Sequence, residues 1–120
     1  LLYLDLNKFK AINDTHGHKA GDYVLTTIAN RINNTIRRTD LVARVGGDEF
    51  VIVFNNVINS EEVIRNLIDK MVEPIPFNGI NLQVSATFGH SSYPDDGINM
   101  DHLLDIADKR MYFQKLGTKL

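Results

Sequence analysis

The segment Leu41-Val42-Ala43-Arg44-Val45-Gly46-Gly47-Asp48-Glu49-Phe50-Val51-Ile52-Val53-Phe54 decides how the rest of the chain is arranged. It holds two apolar runs on either side of Gly46-Gly47, which predicts a β-hairpin whose turn uses the positive φ that glycine adopts readily. Apolar strands would seat the adjacent carboxylates Asp48 and Glu49 beside a core, where like charges repel each other. The pair is therefore either an ordinary acidic turn or a site for a cation and for chemistry.

The composition is that of one soluble globular domain, which we expect to span residues 1–120. With 43% hydrophobic residues, 23% charged residues and a net charge of −2, nothing indicates nucleic-acid binding. The absence of cysteine excludes disulfides and thiolate chemistry and fits a reducing, cytoplasmic compartment. No apolar run approaches the roughly 20 residues of a membrane span, so we expect no membrane contact. Because the chain opens inside the apolar run Leu1 to Leu4, we expect a piece of a longer protein.

Upstream of the hairpin, the run from Leu1 to Leu6 predicts a strand buried on both faces, since apolar residues follow one another without alternation. Asp5 lies near the end of this strand, where it either caps the following turn or binds a metal or a phosphate. A turn-rich stretch with at most a short helix from Phe9 to Asn13 follows. Gly21-Asp22 then opens a long helix, and its first turn is where the helix dipole favours an anion.

Downstream, the basic residues of the segment 37–40 are typical of a helix end. A second hairpin turn at residues 77–80 leads into a half-exposed strand from Leu82 to Phe88, and Asn99 or Asp101 opens a last helix. This order predicts an α+β fold of the palm or ferredoxin-like split βαβ type, a mainly antiparallel sheet with helices on its faces. Polymerase palms and nucleotide cyclases use such sheets, but a fold alone does not establish a function.

Four stretches, in this order, resemble the motifs of the GGDEF family, the diguanylate cyclase domains. Besides the hairpin tip, they are residues 5–14 (DLNKFKAIND), 17–22 (GHKAGD) and 107–115 (ADKRMYFQK), and together they cover nearly the whole chain. Members of this family condense two GTP into cyclic di-GMP and release pyrophosphate. The resemblance implies a Mg²⁺- or Mn²⁺-dependent enzyme that acts as a transient homodimer and is controlled by an upstream sensor domain.

The resemblance also implies a metal site. Its ligands would be Asp5, the backbone carbonyl of Leu6, and Asp48. Glu49 would be either a further ligand or the base for the 3′-hydroxyl, and the sequence leaves both roles open. Strands one and three are neighbours in a split βαβ sheet, so the carboxylates of Asp5 and Asp48 can converge on one ion.

For the nucleotide, the resemblance implies that Asn13 and Asp22 bind guanine. A carboxylate that accepts from the guanine N1 and amino hydrogens discriminates against adenine, which lacks that donor pair. Further substrate contacts would come from backbone amides of the turn, from lysine side chains and from the hairpin, where glycines have no side chain. These residues are Asn7, Lys8, Phe9, Lys10, Gly46, Gly47, Lys115 and Lys119. Arg37 and Asp40 stand where the family places an inhibitory site for its product.

Some features depart from the family's usual pattern. The usual N-terminal segment is absent, and Asn7 stands where Asp is common. In residues 115–119 the glycine comes one place early, so Lys119 matches a phosphate-binding position less well than Lys115 does. The pair His16 and His18 suggests zinc, but no further ligand has suitable spacing, and we interpret His18 as part of the turn.

Two other functions compete with catalysis. One is a non-catalytic domain of the same fold that binds GTP or cyclic di-GMP, and the intact pair Asp48-Glu49 argues against it. The other is a dimerisation module, which does not require the four residues Asp5, Asn13, Asp22 and Asp48 to occur together. Turnover of GTP with Mg²⁺ discriminates among the three.

Overall fold

In the computed structural model, which describes residues 1–119 and the side chains of residues 1–116, the described chain forms six strands and four helices. They are, in chain order, β1 (Leu2–Asn7), α1 (Phe9–His16), α2 (His18–Thr35), β2 (Leu41–Arg44), β3 (Glu49–Val53), α3 (Ser60–Met71), β4 (Ile75–Phe77), β5 (Ile80–Leu82), β6 (Ser85–His90) and α4 (Met100–Lys119). The chain divides into two compact units. The first contains residues 1–5, 39–55 and the described residues from Thr87 onward, and the second contains residues 6–38 and 56–86.

The first unit is built on the sheet with strand order β2-β3-β1-β6. β3 pairs antiparallel with β1 on one side and with β2 on the other. The register places Leu2 opposite Ile52 and Asp5 opposite Glu49. Strands one and three are therefore neighbours, and the predicted α+β fold class is confirmed.

The central strands of the first unit are buried at consecutive positions and do not alternate. Leu4 in β1 and its cross-strand partner Phe50 in β3 are buried. Helix α4 crosses β6 at Gly89, where a Cβ atom would lie 2.3 Å from both the Ala107 carbonyl oxygen and the Met111 amide nitrogen. This close backbone approach requires glycine, and it fixes α4 against the sheet.

The second unit is organised around α2, which packs against α1, α3 and β4. Val24, Ile28 and Ile32 are fully buried at a spacing of four residues, as expected for one apolar face of a helix. Arg31, on the same helix, donates to the Met71 carbonyl at 3.1 Å and to carbonyls of the segment leading into β4. Its guanidinium thus joins the end of α3 to α2, a contact between distant residues that local sequence patterns do not reveal.

The predicted second hairpin is present as β4 and β5, joined by Asn78 and Gly79 with φ values of 49° and 81°. The predicted strand from Leu82 to Phe88 is wrong in its bounds, because β5 ends at Leu82 and β6 begins at Ser85. No helix in the described part of the chain has the length and apolar character that crossing a membrane requires.

The predicted start of the long helix is also wrong. Gly17, with φ of 91°, separates α1 from α2, and α2 begins at His18. Asp22 therefore lies beyond the first turn, where the helix dipole has little effect. Gly21 is buried inside the helix, and a Cβ atom there would lie 1.8 Å from Oδ1 of Asn13. Gly21 thus makes room for the Asn13 side chain.

Candidate active site

The loop between β2 and β3 consists of Val45, Gly46, Gly47 and Asp48. The Val45 N–H donates to the Glu49 carbonyl at 3.0 Å and closes the loop. Neither glycine has a positive φ, so the conformational reason predicted for them is wrong. Gly46 instead leaves space for the Glu49 side chain, because a Cβ atom there would lie 2.5 Å from Oε1 of Glu49. A Cβ atom at Gly47 would meet nothing within 4 Å, so this side of the loop is open.

Asp5, Asp48 and Glu49 form an acidic cluster, in which Asp5 is the most buried carboxylate. It is only 9% exposed, and it pairs across the sheet with Glu49. Its Oδ2 accepts a hydrogen bond from the Lys115 ammonium on α4. Its Oδ1 is buried and has no hydrogen-bond partner in the described residues. A buried acceptor without a partner is costly, which marks this oxygen as a place for a missing donor or cation.

The electrostatics of Asp48 and Glu49 reflect crowding of like charges. Burial raises the pKa of the Asp48 carboxyl, and the nearby Asp5 charge raises it further. Burial likewise raises the pKa of Glu49, followed by the charges of Asp5 and Asp48. The Lys115 charge lowers both pKa values, and the hydrogen bond to Asp5 raises the pKa of the Lys115 ammonium. The carboxylates of the cluster therefore repel one another, and a bound cation would reduce this repulsion.

Asp108 belongs to the same electrostatic environment, which the sequence analysis missed. The Asp108 charge is one cause of the raised pKa of Glu49. The pKa of the Tyr3 phenol is raised first by burial, then by the charge of Glu49, and then by the charge of Asp108. Asp108 lies seven residues before Lys115 on α4, which is about two helical turns, so the two side chains share one face. That spacing was the signal that could have revealed it.

A divalent metal fits this donor set. In the described residues, no three side chains of the usual ligand types already converge as a metal site. The orphaned oxygen of Asp5 and the mutually repelling carboxylates of Asp48 and Glu49 are nevertheless hard oxygen donors, which suit Mg²⁺. The backbone of Leu6, the next residue of β1, is the other predicted oxygen donor.

The residues predicted to contact phosphates and guanine lie in the second unit, apart from those on the hairpin and α4. Lys8 adopts a left-handed backbone conformation, with φ of 64°, immediately before α1 begins at Phe9. The side-chain Nδ2 of Asn7 donates to the Ser85 hydroxyl at 3.1 Å, and Lys10 is exposed.

The two predicted guanine-binding residues lie on α1 and α2. Asn13 is half-buried and packs its amide over Gly21, whereas Asp22 is exposed. His16 and His18, the pair that suggested zinc, are both exposed.

The predicted product site consists of two residues with different environments. Arg37 is exposed, just beyond the end of α2. Asp40 is only 6% exposed, and its Oδ1 accepts from the Asn55 amide at 2.9 Å. Asp40 therefore has a structural contact that the sequence did not indicate. The side chain of Lys119 lies outside the described residues.

An open groove of about 280 Å³ lies beside the cluster in the first unit. Its lining residues are Tyr3, Val45, Val51, Leu104, Asp105 and Asp108. An apolar floor flanked by two aspartates does not suit phosphates, so we do not assign nucleotide binding to it.

Comparison with known proteins gives consistent matches. The model of the family described as "Diguanylate cyclase, GGDEF domain" matches residues 1–119. The diguanylate cyclase TpbB of Pseudomonas aeruginosa is 40% identical over 119 residues, which are 96% of this chain and 27% of TpbB. Diguanylate cyclase A of Treponema denticola is 38% identical over 118 residues, which are 96% of this chain and 32% of that protein. The chain thus spans about a third or less of the length of these curated relatives.

Among solved structures, the crystal structure of the GGDEF domain of TpbB (YfiN) from Pseudomonas aeruginosa is similar throughout. Its TM-score is 0.89 at 39% identity, and the match covers 97% of this chain and 74% of that chain.

Proposed function

The chain belongs to the GGDEF family of diguanylate cyclase domains, and on this basis we propose that it condenses two GTP into cyclic di-GMP with release of pyrophosphate. The observation that carries the proposal is the mutual charge repulsion of Asp5, Asp48 and Glu49, together with a buried Asp5 oxygen that has no hydrogen-bond partner in the described residues. A domain with only a structural role has no need for three repelling carboxylates at one place.

In this proposal, Asp5, the Leu6 carbonyl, Asp48 and Glu49 hold Mg²⁺ or Mn²⁺. The bound ion supplies charge neutralisation for the phosphates and acidifies the attacking hydroxyl. The residues themselves hold their oxygens in place through the pairing of β1 with β3. The half-buried setting of Asp48 and Glu49 excludes part of the surrounding water, which strengthens their charge interactions.

The reaction forms a bond between the 3′-oxygen of one GTP and the α-phosphorus of the other. The bond from that phosphorus to the pyrophosphate oxygen breaks, and pyrophosphate leaves with the electron pair. Glu49, the residue after Asp48, either contributes a ligand to the ion or instead acts as the base that accepts the 3′-hydroxyl proton. A second, equivalent step closes the ring and releases the second pyrophosphate.

Substrate recognition is assigned to polar groups of the second unit and to the lysines. Asn13 and Asp22 bind the guanine edge, and Asp22 accepts from its N1 and amino hydrogens. The amides of residues 7–9, with Lys10 and Lys115, bind phosphates, and the same role is proposed for Lys119. Losing one charge-assisted pair to guanine should weaken GTP binding by about 2–3 kcal/mol.

The product contains two nucleotides, so we propose that two copies of the domain meet as a transient homodimer, each with one GTP. We also propose that cyclic di-GMP slows the reaction by binding at Arg37, whose exposed guanidinium can form paired hydrogen bonds with a phosphate or with guanine. Asp40 would support this site by holding the chain at its Asn55 contact. The domain would act inside the cell as one part of a longer, signal-controlled protein.

The experiment is incubation of the protein with GTP and Mg²⁺, followed by chromatographic measurement of cyclic di-GMP and pyrophosphate. Wild type should form product from GTP and none from ATP, and Asp48→Ala should form none while it keeps a cooperative melting transition. Near-normal turnover by Asp48→Ala would remove Asp48 from the metal site. GTP or cyclic di-GMP binding by wild type without any product would favour the non-catalytic alternative.

A further inference from the structure

Lys115 reaches the acidic cluster from the far end of the chain. Its ammonium donates to Oδ2 of Asp5, a residue 110 positions away. The Lys115 side chain is about a third exposed, at 35%, whereas the Asp5 side chain is 13% exposed. The ammonium therefore ends a flexible stem that borders solvent, so it can leave Asp5 without unfolding α4.

Lys115 compensates part of the negative charge of the cluster. Its ammonium donates to Asp5, and its charge lowers the pKa values of both Asp48 and Glu49. Removal of this one positive charge would leave buried Asp5 next to two further carboxylates. Buried charges without compensation are strongly unfavourable, so Asp5 needs a nearby cation in order to stay ionised at low cost.

The lysine and a metal ion would compete for the same side chain. Oδ2 of Asp5 already accepts from the ammonium, while Oδ1 is buried and without a partner. A dication that binds the carboxylate brings two positive charges close to the ammonium, and repulsion at such distances is large in a partly buried site. The same dication neutralises the Asp5 carboxylate, so the attraction that holds the ammonium there becomes weaker.

We propose that Lys115 is a displaceable counterion of the metal-binding carboxylates, which neutralises Asp5 until a divalent cation replaces it. The inference rests on the metal site of the proposed function. Once displaced, the ammonium is released next to the site and is available to the phosphates of the incoming nucleotide. Metal binding and phosphate binding are thereby coupled through one side chain, and each favours the other.

The test measures Mn²⁺ affinity in the absence of nucleotide, by electron paramagnetic resonance of the free ion. Lys115→Met keeps the apolar stem and removes the charge, so Mn²⁺ should bind about tenfold or more tightly than to wild type. Lys115→Arg keeps the charge and should bind no more tightly than wild type. Lys109→Met is the matched control on the same helix, since Lys109 pairs at 2.9 Å with exposed Asp105, and its Mn²⁺ affinity should equal that of wild type.

A second readout is stability in urea. Lys115→Met should be less stable than wild type without metal, and saturating Mn²⁺ should close the gap. If Lys115→Met binds Mn²⁺ with wild-type affinity or more weakly, the counterion role is overturned while the proposed metal site stands. If neither protein binds Mn²⁺, the metal site itself is wrong, and the inference fails with it. If Lys115→Met does not fold even with Mn²⁺, the Mn²⁺ affinity of Lys115→Arg decides. An affinity above that of wild type overturns the inference. An affinity equal to or below that of wild type supports it.

Discussion

Replacement of Gly21 by alanine should damage guanine recognition far more than it damages the fold. A Cβ atom at this position would lie 1.8 Å from Oδ1 of Asn13, 2.8 Å from its Cγ and 3.3 Å from its Nδ2. Ordinary van der Waals contact begins near 3.4 Å, so Oδ1 must move by about 1.6 Å. The obstacle is the end of a rotatable side chain and not backbone, so Asn13 moves and α2 does not.

Two opposing effects set the change in stability. Alanine is better than glycine inside a helix by about 1 kcal/mol. Displacement of the packed Asn13 amide costs about 1–3 kcal/mol. The net destabilisation should therefore be about 0–2 kcal/mol. GTP binding, in contrast, should lose the contact that we propose for Asn13, and a loss of about 1.4–3 kcal/mol corresponds to a roughly 10- to 150-fold weaker Kd.

The assay is calorimetry with a non-hydrolysable GTP analogue, together with urea unfolding, on a double-mutant cycle. In the Asn13→Ala background the obstacle is gone, so Gly21→Ala should have no further effect on affinity and should raise stability by about 1 kcal/mol. Two results would refute the reasoning. One is full GTP affinity in Gly21→Ala, and the other is the same loss of affinity in both backgrounds.

Three further predictions follow from the first unit and from Arg37. Gly89→Ala places a Cβ atom 2.3 Å from backbone atoms of α4 and should destabilise the domain by about 3 kcal/mol in urea unfolding, whereas Gly47→Ala, in open space, should change stability by under about 0.5 kcal/mol. Asp48→Asn should make the metal-free domain more stable at neutral pH. The raised pKa of Asp48 means that its charged form opposes folding, so this advantage should shrink as pH falls through that pKa and vanish below the unfolded value near 3.9. Unfolding curves across pH test this, and a variant less stable than wild type at pH 7 contradicts it. Added cyclic di-GMP should slow product formation by wild type and should not slow product formation by Arg37→Ala. Equal slowing of both proteins would mean that Arg37 has no role in product inhibition.

The elements that bring Asp5 beside the hairpin could be predicted from the sequence. The apolar runs at residues 1–6 and 41–54 determine strands, and the order of elements makes strands one and three neighbours. That adjacency places Asp5 near the hairpin, whereas the register that pairs it with Glu49 comes from the structure. These features depend on local pattern and on few possible topologies, which is why sequence reasoning found them.

The contacts that give individual residues their roles could not be predicted. The break before α2 depends on the positive φ of Gly17. The sequence does not show which of its glycines adopt a positive φ. Gly46 leaves space for the Glu49 side chain, and its own conformation does not require glycine. The Lys115 contact with Asp5 and the burial of Asp40 against Asn55 join residues that only tertiary packing brings together.

The most direct measurement of the central claim is the rate of cyclic di-GMP formation per subunit, from GTP and Mg²⁺, across a wide range of protein concentration. Because each domain is proposed to bring one GTP to the carboxylates of Asp5, Asp48 and Glu49, the rate per subunit should rise with concentration as pairs form. Asp48→Ala should show no product at any concentration. A rate per subunit that stays constant in a species shown by ultracentrifugation to be monomeric would contradict the paired mechanism. Absence of product at every concentration, with GTP bound, would contradict catalysis itself.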